Sequence, residues 1–195
     1  GKDLHKFRKE LVAESGGVPV LFGFILGVLF YVAIKTFYFK TTENLIGTFT
    51  ILTSMLIVGF IGILDDILGW KIGLTKKTRI IFLILAAMPL IVINAGESNV
   101  WGVEWGVLYP LFFIPLGIVG ASSVFNFVAG YNGLEASQGI LILASLAIVA
   151  KVSGNAWLSI IALSMVVSLI AFYLFNKTPA KVFPGDVMTY PIGAL

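Results

Sequence analysis

The sequence contains no cysteine and a single histidine in 195 residues. Without cysteine there is no disulfide, no thiolate metal site and no cysteine nucleophile. One histidine cannot build a zinc centre, and His5 sits in a charged N-terminal stretch. Charge is scarce as well: Asp, Glu, Lys and Arg make up 12% of the chain, where soluble domains carry about a quarter. Apolar residues reach 58%, and the mean hydropathy is +1.02. So little polar surface cannot coat a particle in water, which excludes a soluble enzyme, a disordered tail and a nucleic-acid-binding domain. An integral membrane protein remains. Its net charge of +3 is then loop charge that sets topology, and no nucleic-acid partner is expected.

A membrane-spanning helix needs roughly 20 apolar residues. Residues 45–64 and 156–175 meet this without any charge. Residues 18–39 come close, with Lys35 near one end where it can snorkel. Residues 107–124 carry Pro110 and Pro115 and predict a kinked or broken helix. Residues 80–96 contain Pro89, and residues 139–150 read as a span that begins in the polar loop before it. The expectation is an all-α polytopic transmembrane bundle with six spanning helices, forming one domain over residues 1–195.

Alternating loops place residues 1–17, 65–79, 125–138 and 176–195 on one side. That side holds Lys2, Lys6, Arg8, Lys9, Lys71, Lys76, Lys77, Arg79, Lys177 and Lys181; the other has only Lys35, Lys40 and Lys151. The bias assigns the first set to the cytoplasm. Asp65, Asp66, Asn126, Asn132, Glu135 and Asp186 fall on the same side. Four loops thus bring carboxylates, carboxamides and cations to one membrane face, the layout of an active site.

An acidic residue retained at the edge of an apolar run is usually functional. Asp65 and Asp66 could hold a hard cation such as Mg²⁺, or one could act as a base, or the pair could simply end a helix in the headgroup zone. Lys76, Lys77 and Arg79 are explained in part by attraction to anionic lipids, and one or two of them suit a diphosphate. Between Asn126 and Glu135, Gly130 and Gly133 let the backbone approach a ligand, and a carboxamide can ligate Mg²⁺ or pair with a base edge. Gly-Asp at 185–186 is a weak signal alone. Gly23-x-x-x-Gly27 and Gly59-x-x-Gly62 read as helix-packing contacts. Asn176-Lys-Thr178 matches the glycosylation pattern but falls on the cytoplasmic side, where it would stay unmodified.

Taken in order, Gly1-Lys-Asp-Leu-His-Lys6 with Ala13-Glu-Ser-Gly-Gly17, Leu64-Asp-Asp66, Asn126 with Gly130-Tyr-Asn-Gly-Leu-Glu135, and Val182-Phe-Pro-Gly-Asp186 resemble the polyprenyl-phosphate N-acetylhexosamine-1-phosphate transferases, glycosyltransferase family 4. The resemblance covers nearly the whole chain. The Asn-Gly-Leu-Glu stretch is most similar to the archaeal and eukaryotic branch that uses UDP-GlcNAc and dolichyl phosphate.

The resemblance implies a bundle of about ten helices, of which this chain would lack the first and the last three. It implies transfer of GlcNAc-1-phosphate from UDP-GlcNAc to dolichyl or another polyprenyl phosphate, with release of UMP, as the first membrane step of N-glycan assembly. It further implies Mg²⁺, with Mn²⁺ as an alternative, ligated by Asn126 and Asp186. Asn132 would contact the uracil, with Glu135 in the same substrate loop. Asp65 and Asp66 would orient or deprotonate the lipid phosphate, and Lys77 or Arg79 would hold the diphosphate. Glu14 would face the GlcNAc hydroxyls, and Lys6 would contact phosphate. The site would be cytoplasmic, in the plasma membrane of a prokaryote, archaeal by this branch, or in the endoplasmic reticulum of a eukaryote. Membrane lipids are partners, and a homodimer is compatible with it. The rival readings are a phospho-MurNAc-pentapeptide translocase-like enzyme and an ion or substrate transporter. Transporters bind near the midplane and often carry internal repeats, neither of which the sequence suggests.

Overall fold

A computed structural model describes residues 12–69, 73–100 and 102–195. Helix α1 (Gly17–Ala33) runs into a π-helical turn at Ile34–Tyr38. Then come α2 (Leu45–Gly69), α3 (Lys76–Ile93) and a two-stranded hairpin of β1 (Asn99–Val100) and β2 (Val103–Glu104). A second π-helical turn, Tyr109–Phe113, leads into α4 (Ile114–Phe127), followed by α5 (Leu134–Val152), α6 (Ala156–Asn176) and α7 (Asp186–Ala194). The chain is an all-α polytopic membrane bundle.

Local chemistry explains these elements. In lipid every backbone polar group must be satisfied internally, so long apolar runs become helices. The hydroxyls of Thr48, Thr50 and Thr53 donate back to carbonyls one turn earlier, which satisfies them within the helix. Pro110 and Pro115 lie at the starts of the π-helical turn and of α4, where a missing N–H is tolerated. The expected break of this span therefore takes the form of a π-helical segment. Thr75 caps α3, its hydroxyl accepting from Thr78 N at 3.2 Å.

Among the described residues, five helices are long and apolar enough to cross a bilayer: Gly17–Tyr38, Leu45–Gly69, Tyr109–Phe127, Leu134–Val152 and Ala156–Asn176. The span expected to begin in the polar loop before residue 139 does so, at Leu134. The sixth expected span is the helix α3, whose first turn carries Lys76, Lys77 and Arg79 and leaves it short of that apolar length.

One expectation is corrected. Residues 176–195 read as a cytoplasmic loop, yet they contain α7, and its residues Val187–Ile192 are buried. Helix α7 enters the bundle between α1, α2 and α4, while α5 and α6 form an antiparallel hairpin against α1. Gly62 and Gly193 make this insertion sterically feasible. A Cβ on Gly62 would lie 2.6 Å from Asp186 O and the Val187 backbone, and one on Gly193 would lie 2.5 Å from Ala121 O. Gly23 and Gly27 likewise sit against Ser168 and Ser164 of α6, the packing role expected of them. Large side chains such as Phe22, Phe30, Phe60 and Val167 point outward, as they must on a lipid-facing surface.

Candidate active site

The ends of α2, α4 and α6 and the starts of α1, α3, α5 and α7 meet at one face of the bundle. They surround an open cavity of about 850 Å³. Its walls include Glu14, Asp65, Asp66, Arg79, Asn132, Glu135 and Asp186, gathered from four separate stretches of sequence. Asn126 stands behind this wall, bonded to Asp186. Lys77 is exposed on α3 and does not line the cavity, so Arg79 is the basic residue of that cluster brought to the site. Lys6 lies outside the described residues.

Asp65 and Asp66 belong to the last turns of α2 and not to the loop after it. Asp65 is 3% exposed and held by three groups. Its Oδ1 accepts from Leu74 N at 3.0 Å, and its Oδ2 accepts from the Tyr190 hydroxyl at 2.9 Å. The Arg79 guanidinium meets the same Oδ2 at 2.5 Å. Such a buried charge persists only because it is paired and hydrogen-bonded.

Asp66 does a different job. Its Oδ1 accepts from Asp186 N at 2.7 Å and its Oδ2 from Val187 N at 3.2 Å. These are orphan donors at the start of α7, so Asp66 caps that helix across 120 residues of sequence. The residue before α7, Gly185, has φ +70 and packs its backbone directly against the Asp66 carboxylate, a conformation and a closeness that exclude a side chain.

Asp186 therefore enters the cavity on a fixed stub of helix. Its Oδ1 accepts from Asn126 Nδ2 at 2.7 Å, and its Oδ2 lies 3.9 Å from Arg79. Burial pushes its carboxyl up to about 6, helped by the neighbouring Asp65 and by the negative charge of Asp66, while the Asn126 amide pulls the other way. Asp65 and Asp186 share the Arg79 guanidinium, Asp66 adds negative charge beside them, and the Asp186 oxygen turned away from Asn126 lies 3.9 Å from Arg79.

The loop between α4 and α5 is built on glycine. Gly130 (φ +151) and Gly133 (φ +82) turn the chain so that Glu135, 5% exposed, accepts from Gly130 N at 2.8 Å. Its other oxygen, Oε2, is buried without a hydrogen-bond partner. Asn132 projects from the same turn.

Two residues that sequence reasoning did not place in the site hold it together. Asn176, 1% exposed, accepts from Gly133 N at 2.9 Å and donates to Val182 O at 2.8 Å, tying the α4–α5 loop to the segment before α7. Its sequon is thus structurally occupied on both sides of the amide. Tyr190 is fully buried and joins Asp65 to α7. Strand-like contacts complete the frame: Phe183 N donates to Ala13 O, and Gly16 N and Gly17 N donate to Phe183 O and Pro184 O.

The chain is similar to known proteins along its whole length. Residues 48–195 match the family described as glycosyl transferase family 4. The chain is 35% identical over its full length to a Saccharolobus solfataricus protein provisionally named UDP-N-acetylglucosamine–dolichyl-phosphate N-acetylglucosaminephosphotransferase, covering 60% of it. It is 32% identical to the Sulfolobus acidocaldarius protein of the same provisional name, again over the whole chain and 60% of the relative. A phospho-N-acetylmuramoyl-pentapeptide-transferase of Streptococcus equi subsp. equi is 32% identical, with 62% of its length covered. The chain thus spans about 60% of the length of the curated relatives it matches. On the match over residues 48–195, which holds Asp65, Asp66, Arg79, Asn126, Glu135 and Asp186, the chain belongs to glycosyl transferase family 4.

Proposed function

We propose that the protein of which this chain forms part transfers GlcNAc-1-phosphate from UDP-GlcNAc to dolichyl or another polyprenyl phosphate. The observation that carries this reading is the convergence of Asp186, Asn126 and Arg79 on one cavity at the membrane face. A diphosphate there could meet both a cation site and a guanidinium. The archaeal relatives' names and the Asn132-Gly-Leu-Glu135 loop support UDP-GlcNAc as the donor.

The residues fit a hard divalent cation. Asp186 offers a carboxylate oxygen, and a half-turn of the Asn126 carboxamide would offer a second oxygen beside it. The negative charge of Asp65 and Asp66 beside Asp186 favours a cation there. Among the described residues no three Asp, Glu, His or Cys side chains converge as a ready-made cage. A cation held here would keep water and substrate oxygens as its remaining ligands, the habit of Mg²⁺. When bound, Mg²⁺ would neutralise the diphosphate and improve the leaving group.

In the proposed reaction an oxygen of the lipid phosphate attacks the β-phosphorus of UDP-GlcNAc. A new P–O bond forms, the bond to the oxygen bridging the two phosphorus atoms breaks, and that oxygen leaves with UMP. The protein's part is positioning and charge neutralisation. Arg79, braced on Asp65, holds the diphosphate. Asp66 fixes the start of α7 and with it Asp186. Asn132 and Glu135 face the uridine end, and Glu14 the sugar hydroxyls. A lipid phosphate is already largely ionised near neutral pH, so no general base is required. The active site faces the cytoplasm on the distribution of Lys and Arg among the loops.

The test is release of labelled UMP from UDP-GlcNAc by the full-length protein in detergent, with and without polyprenyl phosphate and Mg²⁺. Release that needs both polyprenyl phosphate and Mg²⁺ supports the reading. Release from UDP-MurNAc-pentapeptide alone would assign the cell-wall reaction of the streptococcal relatives instead. Silence with every UDP-sugar would overturn both.

A further inference from the structure

We propose that Tyr190 is a positioning residue of this transfer reaction, holding the Asp65–Arg79 pair in the orientation that presents the guanidinium to the cavity. The inference rests on the proposed function and adds to it a residue that none of the sequence motifs contains.

The geometry is specific. Tyr190 lies one helical turn beyond Asp186 on α7, so both side chains leave the same face of the helix. Its hydroxyl donates to Asp65 Oδ2 at 2.9 Å, the oxygen that also meets Arg79. Its ring lies under the guanidinium, with Arg79 Cζ 5.5 Å from the ring centroid. Arg79 is thus gripped by charge from one side and by an aromatic face from another. It still reaches within 3.9 Å of Asp186 and remains 24% exposed, and its Nε is buried without a protein partner.

Tyr190 itself cannot wander. Its carbonyl accepts from the Ser122 hydroxyl at 3.2 Å, and Gly193 presses α7 onto the Ala121–Ser122 backbone. A movement of α7 would therefore carry Asp186 and, through Tyr190, the Asp65–Arg79 pair together. The two groups proposed to face the diphosphate are kept in register by one side chain. With the hydroxyl removed, Asp65 keeps Leu74 N and Arg79 but loses the donor that fixes Oδ2, and the ion pair can pivot. Small misplacement of a charged group costs rate steeply because most of the catalysis here is placement.

The experiment compares wild type, Tyr190→Phe, Arg79→Lys and the double variant as full-length proteins in detergent. UMP release gives kcat and KM for UDP-GlcNAc, and thermal unfolding monitors the fold. Tyr190→Phe is expected to lower kcat roughly 10-fold, with KM changed less than about 2-fold. Its melting temperature should stay within about 2 °C, because the ring, its packing and the other two partners of Asp65 remain. In the Arg79→Lys background the same substitution should change kcat less than about 2-fold, since the group it positions is no longer the planar fork. An unchanged kcat in Tyr190→Phe, or an equal fractional loss in both backgrounds, would overturn the proposal. So would a variant that fails to fold or melts more than about 5 °C lower, for then the hydroxyl is structural. If wild type itself releases no UMP from any UDP-sugar, the proposed function fails and the positioning role falls with it. An active wild type beside an indifferent Tyr190→Phe defeats the positioning role alone.

Discussion

Replacing Asp66 separates two jobs that an acidic residue at this place could hold. In the structure both its oxygens accept from backbone N–H groups at the start of α7, at 2.7 and 3.2 Å. Asp66→Ala removes both bonds and leaves the N–H groups of Asp186 and Val187 without their carboxylate partner. A hydrogen bond to a charged group contributes about 1.5–3 kcal/mol, and the longer of the two belongs at the lower end. Loss of a helix cap alone costs about 1 kcal/mol. Taking one strong bond and one weak one, Asp66→Ala should destabilise the protein by about 3 kcal/mol. Asp66→Asn can still accept from one N–H but turns an NH₂ toward the other, so it should cost about half as much.

Thermal unfolding in detergent without divalent cations measures this directly. For a domain of this size 1 kcal/mol corresponds to about 2–4 °C, so Asp66→Ala should melt about 6–12 °C below wild type, with Asp66→Asn between them. Turnover should fall in the same order, because a loosened α7 no longer delivers Asp186 to one position. If both variants melt within 2 °C of wild type while turnover collapses, Asp66 is acting on substrate and the cap is incidental.

Three further outcomes follow from the same geometry. Asp186→Asn should abolish turnover yet stabilise the cation-free protein. The Asp186 carboxyl moves from its ordinary 3.8 to about 6, a shift of about two units or about 3 kcal/mol. With the side chain 27% open to solvent, screening reduces this to about 2 kcal/mol. Because the folded-state value is raised, the wild type's share of stability is whole below about pH 3.8 and is lost as pH rises to about 6. The variant's advantage should therefore be absent at pH 3.5, open between pH 4 and 6, and stay level above; Mg²⁺ should reverse it by stabilising wild type alone. Arg79→Ala strands the buried Asp65 charge and should cost about 3–5 kcal/mol, whereas Lys77→Ala should leave melting and turnover near wild type; equal losses would show that the basic residue is misassigned. Asn176→Ala unties the two site loops, leaves Gly133 N unpaired, and should cost about 2 kcal/mol with a rise in KM for the nucleotide sugar, read by melting and steady-state kinetics.

Much of this was legible without coordinates, and the parts that were not share a cause. Long apolar runs announce spanning helices because lipid permits little else, and the span through Pro110 and Pro115 advertised its own break. Asp65, Asp66, Glu135 and Asp186 stood out because charge is rare in so apolar a chain. Asp186–Ala194 escaped notice: nine residues with Pro191 and Gly193 look like a loop end, and only the fold shows them filling a slot between α1, α2 and α4. With that helix unseen, the four-residue spacing from Asp186 to Tyr190 carried no meaning. Asn176 was visible only as a glycosylation triplet, because its two partners lie 43 and 6 residues away. Lys77 and Arg79 could not be told apart by composition. A helix cap at Thr75 decides it, setting the register that turns Arg79 inward and Lys77 out.

That register logic also explains why the two aspartates are adjacent. Consecutive side chains on a helix diverge by about 100°, so Asp65 and Asp66 cannot grip one small ion together as an isolated reading of the pair allows. They address two neighbours instead. Asp65 turns to Arg79 of α3 and Tyr190 of α7, while Asp66 turns to the first N–H groups of α7. Of the three aspartates at the cavity, two are thereby committed to holding a cation and a helix in place. Asp186 sits at the tip of the helix the other two restrain, with its Oδ2 3.9 Å from Arg79. A charge change at Asp65 should therefore be felt at Arg79 and through Tyr190. A change at Asp66 should be felt at the position of Asp186, and the two effects should be separable by whether Mg²⁺ binding or diphosphate binding weakens first.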